Sequence, residues 1–185
     1  RVSPHLVSHV DLLPTLCTLL NVPDASSYQF AGVDYSSLIL DAGAPAVQDY
    51  LLFTFDDIYA GQSSVNEPPG TSGNGIVPAP NRIQMIREAD YKYARYYDGL
   101  GVAADQQEFY DLRPASADGT DTDATTGLPV ELNNLSEWAE TRRVLTGGSA
   151  LATPDQVAKR TQMMSDLTDI VAARLQPRDY DAPVK

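Results

Sequence analysis

Leucines crowd one side of an early segment. Between His9 and Leu20, the residues Leu12, Leu13, Leu16, Leu19 and Leu20 fall on one broad apolar face at helical spacing. Asp11 precedes them as a residue able to accept the free amides of a first turn, and Pro14 falls within that turn, where a missing N–H is tolerated. Asn21-Val22-Pro23 closes the helix, and a shorter one is predicted at about Tyr35 to Leu40, after the turn at Gly32. The pattern then changes period. Leu51–Phe55, Arg82–Arg87, Tyr91–Tyr97 and Glu108–Leu112 are rich in β-branched and aromatic residues and read as strands. Glu88-Ala89-Asp90 is a tight polar connection that makes the middle two a hairpin, with Ile83, Met85 and Arg87 on one face of its first arm and Tyr91, Tyr93, Arg95 and Tyr97 on one face of its second.

The last element is the most explicit. Thr153-Pro154-Asp155-Gln156 combines an N-cap, a proline at the first helical position and a glutamine three residues after the cap. Val157, Met164, Leu167, Ile170, Val171 and Leu175 follow at helical spacing until Pro177. A four-stranded antiparallel sheet packed by a long C-terminal helix gives an α+β fold class. Two polar insertions interrupt it: a Gly/Pro/Ser/Asn-rich loop at 57–81, and Ala115 to Thr126. A loop longer than about 15 residues inside a compact domain is either functional or disordered.

Composition narrows the function classes. The 185 residues carry 13 Lys and Arg against 25 Asp and Glu, a net charge of −12, and no basic cluster, which disfavours a nucleic-acid partner. No run approaches the roughly 18 apolar residues of a membrane span. Cys17 is the single cysteine and excludes an internal disulfide framework; its place in an apolar helix predicts a buried, structural thiol. A chain opening Arg1-Val2-Ser3-Pro4, without Met, reads as a fragment or processed product.

Three segments, in this order, carry a family resemblance: Ser8-His9-Val10-Asp11-Leu12-Leu13-Pro14-Thr15-Leu16; Ile83 to Tyr97, with Ile86-Arg87 and Tyr91-Lys92-Tyr93; and Glu108-Phe109-Tyr110-Asp111-Leu112, followed by Glu131-Leu132-Asn133-Asn134-Leu135. Together they resemble the C-terminal portion of the sulfatase family of the alkaline phosphatase superfamily. The chain departs from that family in the loop 57–81 and in the insertion between Asp111 and Glu131. The resemblance implies that residues 1–45 are the last helical segment of an α/β sulfatase-type catalytic domain, and that 46–185 form the C-terminal α+β lobe. It implies a parent enzyme that hydrolyses sulfate esters with a formylglycine nucleophile and a calcium ion. It also implies a partner, the missing N-terminal catalytic region, on the same polypeptide or a separate chain. A phosphodiesterase or phosphonate hydrolase of the same superfamily, or a non-catalytic binding module that lost the catalytic half, are the alternatives.

None of the chemistry is in this sequence. The Cys/Ser-x-Pro-x-Arg motif from which formylglycine is made does not occur, and Cys17 is followed by Thr18-Leu19-Leu20-Asn21. The expected catalytic and metal residues of this chain are therefore none. His5, His9 and Asp11 could be imagined as a metal cluster, but they precede the helix and share no helical face. The Tyr91, Tyr93, Tyr96 and Tyr97 group is explained by sheet packing under the terminal helix more simply than by ligand stacking. Asp56, Asp57 and Tyr59, where the chain leaves a strand for the long loop, are the candidates for a substrate rim. Adjacent residues of an extended chain point to opposite faces, so Asp56 and Asp57 are not expected to share one site, and loop capping is the plainer role.

Overall fold

A computed structural model describes residues 3–56, 80–99, 101–113, 131, 133–148 and 151–175. The elements are α1 (Leu12–Leu19), α2 (Ser36–Leu40), β1 (Tyr50–Phe55), β2 (Arg82–Glu88), β3 (Tyr91–Tyr97), β4 (Gln106–Asp111), α3 (Glu137–Leu145) and α4 (Pro154–Arg174). The strands form one antiparallel sheet in the order β1-β2-β3-β4, and α4 packs on it: the α+β class holds. The chain forms two compact units, one of Arg1–Leu52 with Arg87–Tyr91, the other of Phe53–Ile86 with Lys92–Lys185.

The first unit is organised around Asp11. Instead of capping the turn that follows it, the Asp11 side chain makes no cap bond there and turns back and across. Its carboxylate accepts from the amide N–H of Ser8 at 2.7 Å, the amide N–H of Val33 at 2.8 Å and Nε2 of Gln48 at 2.8 Å. Thr15 extends the network, donating its hydroxyl to the Asp11 carbonyl at 2.7 Å and accepting the Tyr35 amide at 3.0 Å. Gly32 allows this closeness, because a Cβ there would lie 2.1 Å from the carbonyl oxygen of Val10. At the other end of α1, Asn21 adopts the left-handed conformation (φ 50°), so that the Val22 amide reaches the Cys17 carbonyl and the Asn21 amide that of Thr18. This is a Schellman closure, with asparagine in the place glycine usually takes.

Burial in α1 runs against the predicted apolar face. Pro14 and Thr15 are buried, while Leu12, Leu13, Leu16 and Leu20 are exposed, Leu20 to 71%. Cys17 is only half-buried, not the buried thiol its neighbours suggested. In α2, Leu38 is buried and Ile39 and Leu40 are exposed, Leu40 to 75%. Val7, Val10 and Val22 add to the same unit's exposed apolar surface.

In the second unit the core holds Ile86, Tyr93, Ala94, Phe109, Leu112, Leu135, Met163 and Leu167. Of the strand tyrosines named above, Tyr93 is the one buried in this core, and its hydroxyl finds no hydrogen-bond partner among the described residues. The segment after the second insertion docks along β4 as if it were a further strand. The Leu135 amide donates to the Phe109 carbonyl at 2.8 Å. Asn134 imitates the backbone, with Oδ1 accepting from the Phe109 amide at 3.1 Å and Nδ2 donating to the Gln107 carbonyl at 2.9 Å. That ladder delivers Ser136, whose hydroxyl accepts the Ala139 amide and starts α3, a helix the apolar pattern did not reveal.

The capping box of α4 is present: Thr153 Oγ1 accepts the Gln156 amide at 3.3 Å, and the Thr153 amide donates to Gln156 Oε1 at 2.9 Å. The inward stripe of the helix differs from the predicted one. Gln156, Met163 and Leu167 are buried, whereas Val157, Met164 and Leu175 are exposed. Removing the cap hydroxyl with Thr153→Ala is expected to cost about 0.5–2 kcal/mol in equilibrium unfolding.

Gln156 explains why a polar residue lies inside. Its Nε2 donates to Asp111 Oδ2 at 3.0 Å, joining the start of α4 to the end of β4, and Arg113 Nε reaches Asp111 Oδ1 at 2.9 Å. Burial alone would push the Asp111 carboxyl up, but the hydrogen bonds from Arg113 and Gln156 outweigh it and hold the carboxyl below its usual value. A carboxylate so depressed adds stability that is fully present above the unfolded value of about 3.9 and is lost as pH falls through the lower folded one. Acid titration of Asp111→Asn against the parent chain, followed by circular dichroism, should therefore show a smaller loss of stability below about pH 4 in the variant.

Candidate functional site

Three strand ends and one glycine meet at the end of the sheet next to Asp56. Asp56 directly follows β1, Arg82 opens β2 and Tyr97 closes β3. A two-residue turn at Ala89-Asp90 sets the hairpin register, which brings Arg82 opposite Tyr97. Arg82 Nε lies 3.0 Å from Asp56 Oδ1, and the Tyr97 hydroxyl donates to the same oxygen at 3.4 Å. Arg82 is the sheltered partner, its side chain 20% exposed against 61% for Asp56. Gly99 forms the seat: a Cβ at that position would fall 2.0 Å from the Arg82 Cζ, so the guanidinium rests on the glycine backbone. Burial, followed by the nearby Asp56 charge, raises the Tyr97 phenol above its ordinary value, with Arg82 opposing, so Tyr97 remains a donor at neutral pH. Arg95 stacks over the Tyr97 ring at 5.2 Å and pairs with Asp105.

Of the predicted rim residues, Asp56 is here, while Asp57 and Tyr59 lie outside the described residues. Arg82, Tyr97 and Gly99 were not anticipated as its neighbours. A connection of Glu88-Ala89-Asp90, as expected from the sequence, would set Arg82 opposite Tyr96; the observed turn is one residue shorter and brings Arg82 to Tyr97, and nothing in the sequence pointed to Gly99.

A second polar group lies further along β3 and β4. Lys92 pairs with Glu131 at 2.8 Å and stands over the Tyr110 ring, while the Tyr96 hydroxyl donates to Glu108 at 3.1 Å. Burial first, then Glu108, pushes Tyr96 up to about 12. Lys92 is thus committed to Glu131, and the Glu108 carboxylate accepts from Tyr96.

Among the described residues no set of three or more His, Cys, Asp or Glu side chains could hold a metal ion, and the Asp11 carboxylate is committed to the donors of Ser8, Val33 and Gln48. The calcium implied by the family resemblance therefore does not fit the described part of this chain. Among the same residues, no helix is long and apolar enough to cross a membrane.

Comparison with known proteins adds little. No protein-family model matches the chain, and no curated protein does. Among solved structures, the chain is similar to BT4656, determined in complex with its substrate D-glucosamine-2-N,6-O-disulfate, at 14% identity and a TM-score of 0.47. The match covers 94% of this chain and 25% of that one. A likeness at that level carries no argument about function.

Proposed function

We propose that this chain is the C-terminal part of a sulfatase-like hydrolase of sulfate esters, completing the fold and walling one side of the substrate cleft, with the catalytic residues supplied from outside it. One observation carries the reading: the residues that bear the family resemblance are the ones on which the architecture depends. Asp11, in the first segment, gathers the Ser8, Val33 and Gln48 donors. Ile83 to Tyr97 is the central hairpin, and Phe109, Asn134 and Leu135 lock the closing segment onto β4. Residues shared with a family for their structural work support a shared architecture, and the missing Cys/Ser-x-Pro-x-Arg motif supports a non-catalytic role for this portion.

The exposed leucines of α1, with Ile39 and Leu40 of α2, support the same reading. Apolar patches of this kind mark interfaces, and the occupant under this proposal is the catalytic region. Calcium and formylglycine belong to that region in the proposal. The test is hydrolysis of para-nitrophenyl sulfate, with and without calcium, by the 185-residue chain and by the same chain joined to its upstream catalytic region. The expected result is turnover by the joined protein alone. Turnover by the isolated chain that is abolished by a mutation within it would overturn the proposal, as would a joined protein that cleaves phosphate diesters but not sulfate esters.

A further inference from the structure

We propose that the outer edge of β1 accepts an added strand from a partner polypeptide, an extended apolar segment with a basic residue at each end. β1 is the first strand in the order β1-β2-β3-β4, so one of its sides pairs with β2 and the other is an edge of the sheet. A free edge presents a row of N–H and C=O groups ready to pair with another chain. Among the described residues, nothing outside the sheet hydrogen-bonds to residues 51–55. The opposite edge is closed. There Leu135 donates its amide to the Phe109 carbonyl, and the side chains of Asn134 and Ser136 both donate to the Gln107 carbonyl.

β1 also lacks the features that usually blunt an edge, since Tyr50-Leu51-Leu52-Phe53-Thr54-Phe55 holds no proline, no glycine and no charge. Phe53 and Phe55 fall on the same side of the strand and are 47% and 38% exposed, an apolar surface that alternate side chains of an added strand would cover. Charge selects the occupant. Asp49 and Asp56 bracket the strand and both are exposed. Asp49 makes no ion pair among the described residues, and Asp56 uses only Oδ1 to meet Arg82 and Tyr97. Two copies paired edge to edge would set aspartate beside aspartate whether the strands ran parallel or antiparallel, and each copy carries a net charge of −12. A strand with Lys or Arg at both ends meets Asp49 and Asp56 with opposite charge in either direction.

The probe is a short fluorescent peptide of alternating threonine and valine with lysine at each end, titrated into the 185-residue chain and followed by anisotropy. Saturable binding is expected, about fivefold weaker when the end residues are glutamate, with Asp49→Lys narrowing that difference. Consecutive residues of a strand aim their N–H groups at opposite edges, so of Phe53→Pro and Thr54→Pro one removes an outward donor and the other a bond to β2. The variant that keeps the parent's unfolding midpoint is expected to lose the peptide. Should neither variant keep it, the same peptide N-methylated at every amide decides, and is expected not to bind. Absence of saturable binding would overturn the proposal, and equal binding of lysine-ended and glutamate-ended peptides would overturn the basic partner. Binding retained by the folded proline variant, or by the N-methylated peptide, would overturn strand addition. A dimer of the chain alone that is lost in the folded proline variant would make a second copy the occupant and overturn the proposal as well.

Discussion

Asp11→Ala is expected to cost about 2–4 kcal/mol and to open the first compact unit, because the substitution removes a buried acceptor shared by three part-buried donors instead of merely deleting one contact. The two backbone amides, of Ser8 and Val33, have no substitute acceptor supplied by a methyl group, and Gln48 Nε2 is left with the Leu6 carbonyl alone. Asp11→Asn should fall between wild type and alanine. Both carboxylate oxygens accept, Oδ1 from Val33 and Oδ2 from Ser8 and Gln48, and an amide can replace only one of them. Since a chain with two compact units need not unfold in one step, the readout is hydrogen exchange at the Val33 amide together with denaturant unfolding. Unchanged Val33 exchange in Asp11→Ala would show that the carboxylate is not the centre of this unit.

Phe109→Ala should cost a comparable amount, about 3–5 kcal/mol, by leaving a cavity in the second unit. The ring is fully buried, in the core that contains Ile86, Tyr93, Leu135 and Met163, and the same residue's backbone anchors the Asn134-Leu135 segment on both its N–H and its C=O. Phe109→Leu keeps those bonds and most of the volume, and should cost less than about 1.5 kcal/mol. Denaturant midpoints of the two variants separate cavity formation from loss of the docked segment. A cost below about 1 kcal/mol for alanine would mean that the site collapses around the smaller side chain.

Local chemistry was legible wherever it is closed by near neighbours. The Thr153–Gln156 capping box, the tight hairpin connection and the four strands are all set by residues a few positions apart, and they appear within two residues of their predicted places, the connection being one residue shorter than Glu88-Ala89-Asp90. The helix α3 escaped because Glu137–Leu145 is short and predominantly polar. Its markers are electrostatic: Ser136 as cap, Glu137 and Glu140 in the first turn, Arg142 and Arg143 in the last. Asp56 was singled out through its place at a strand end, and its contacts with Arg82 and Tyr97 were not, because an exit point names no partners.

The sequence by itself determined the order and type of most elements, most of the caps and turns that bound them, and the absence of the formylglycine motif. Those features follow from backbone sterics and from hydrogen bonds between residues close along the chain, which any reading of adjacent residues can recover. Only the tertiary structure decided which faces turn inward and which polar groups serve as junctions. Periodicity marks an apolar stripe without saying whether its cover belongs to this chain, so α1 buries Pro14 and Thr15 and leaves its leucines exposed. Polar groups find partners wherever the fold brings them: buried Asp11 meets Gln48, buried Asp111 meets Gln156, and exposed Asp56 shares an oxygen between Arg82 and Tyr97. Those partners lie more than twenty positions apart along the chain, beyond the reach of any local pattern.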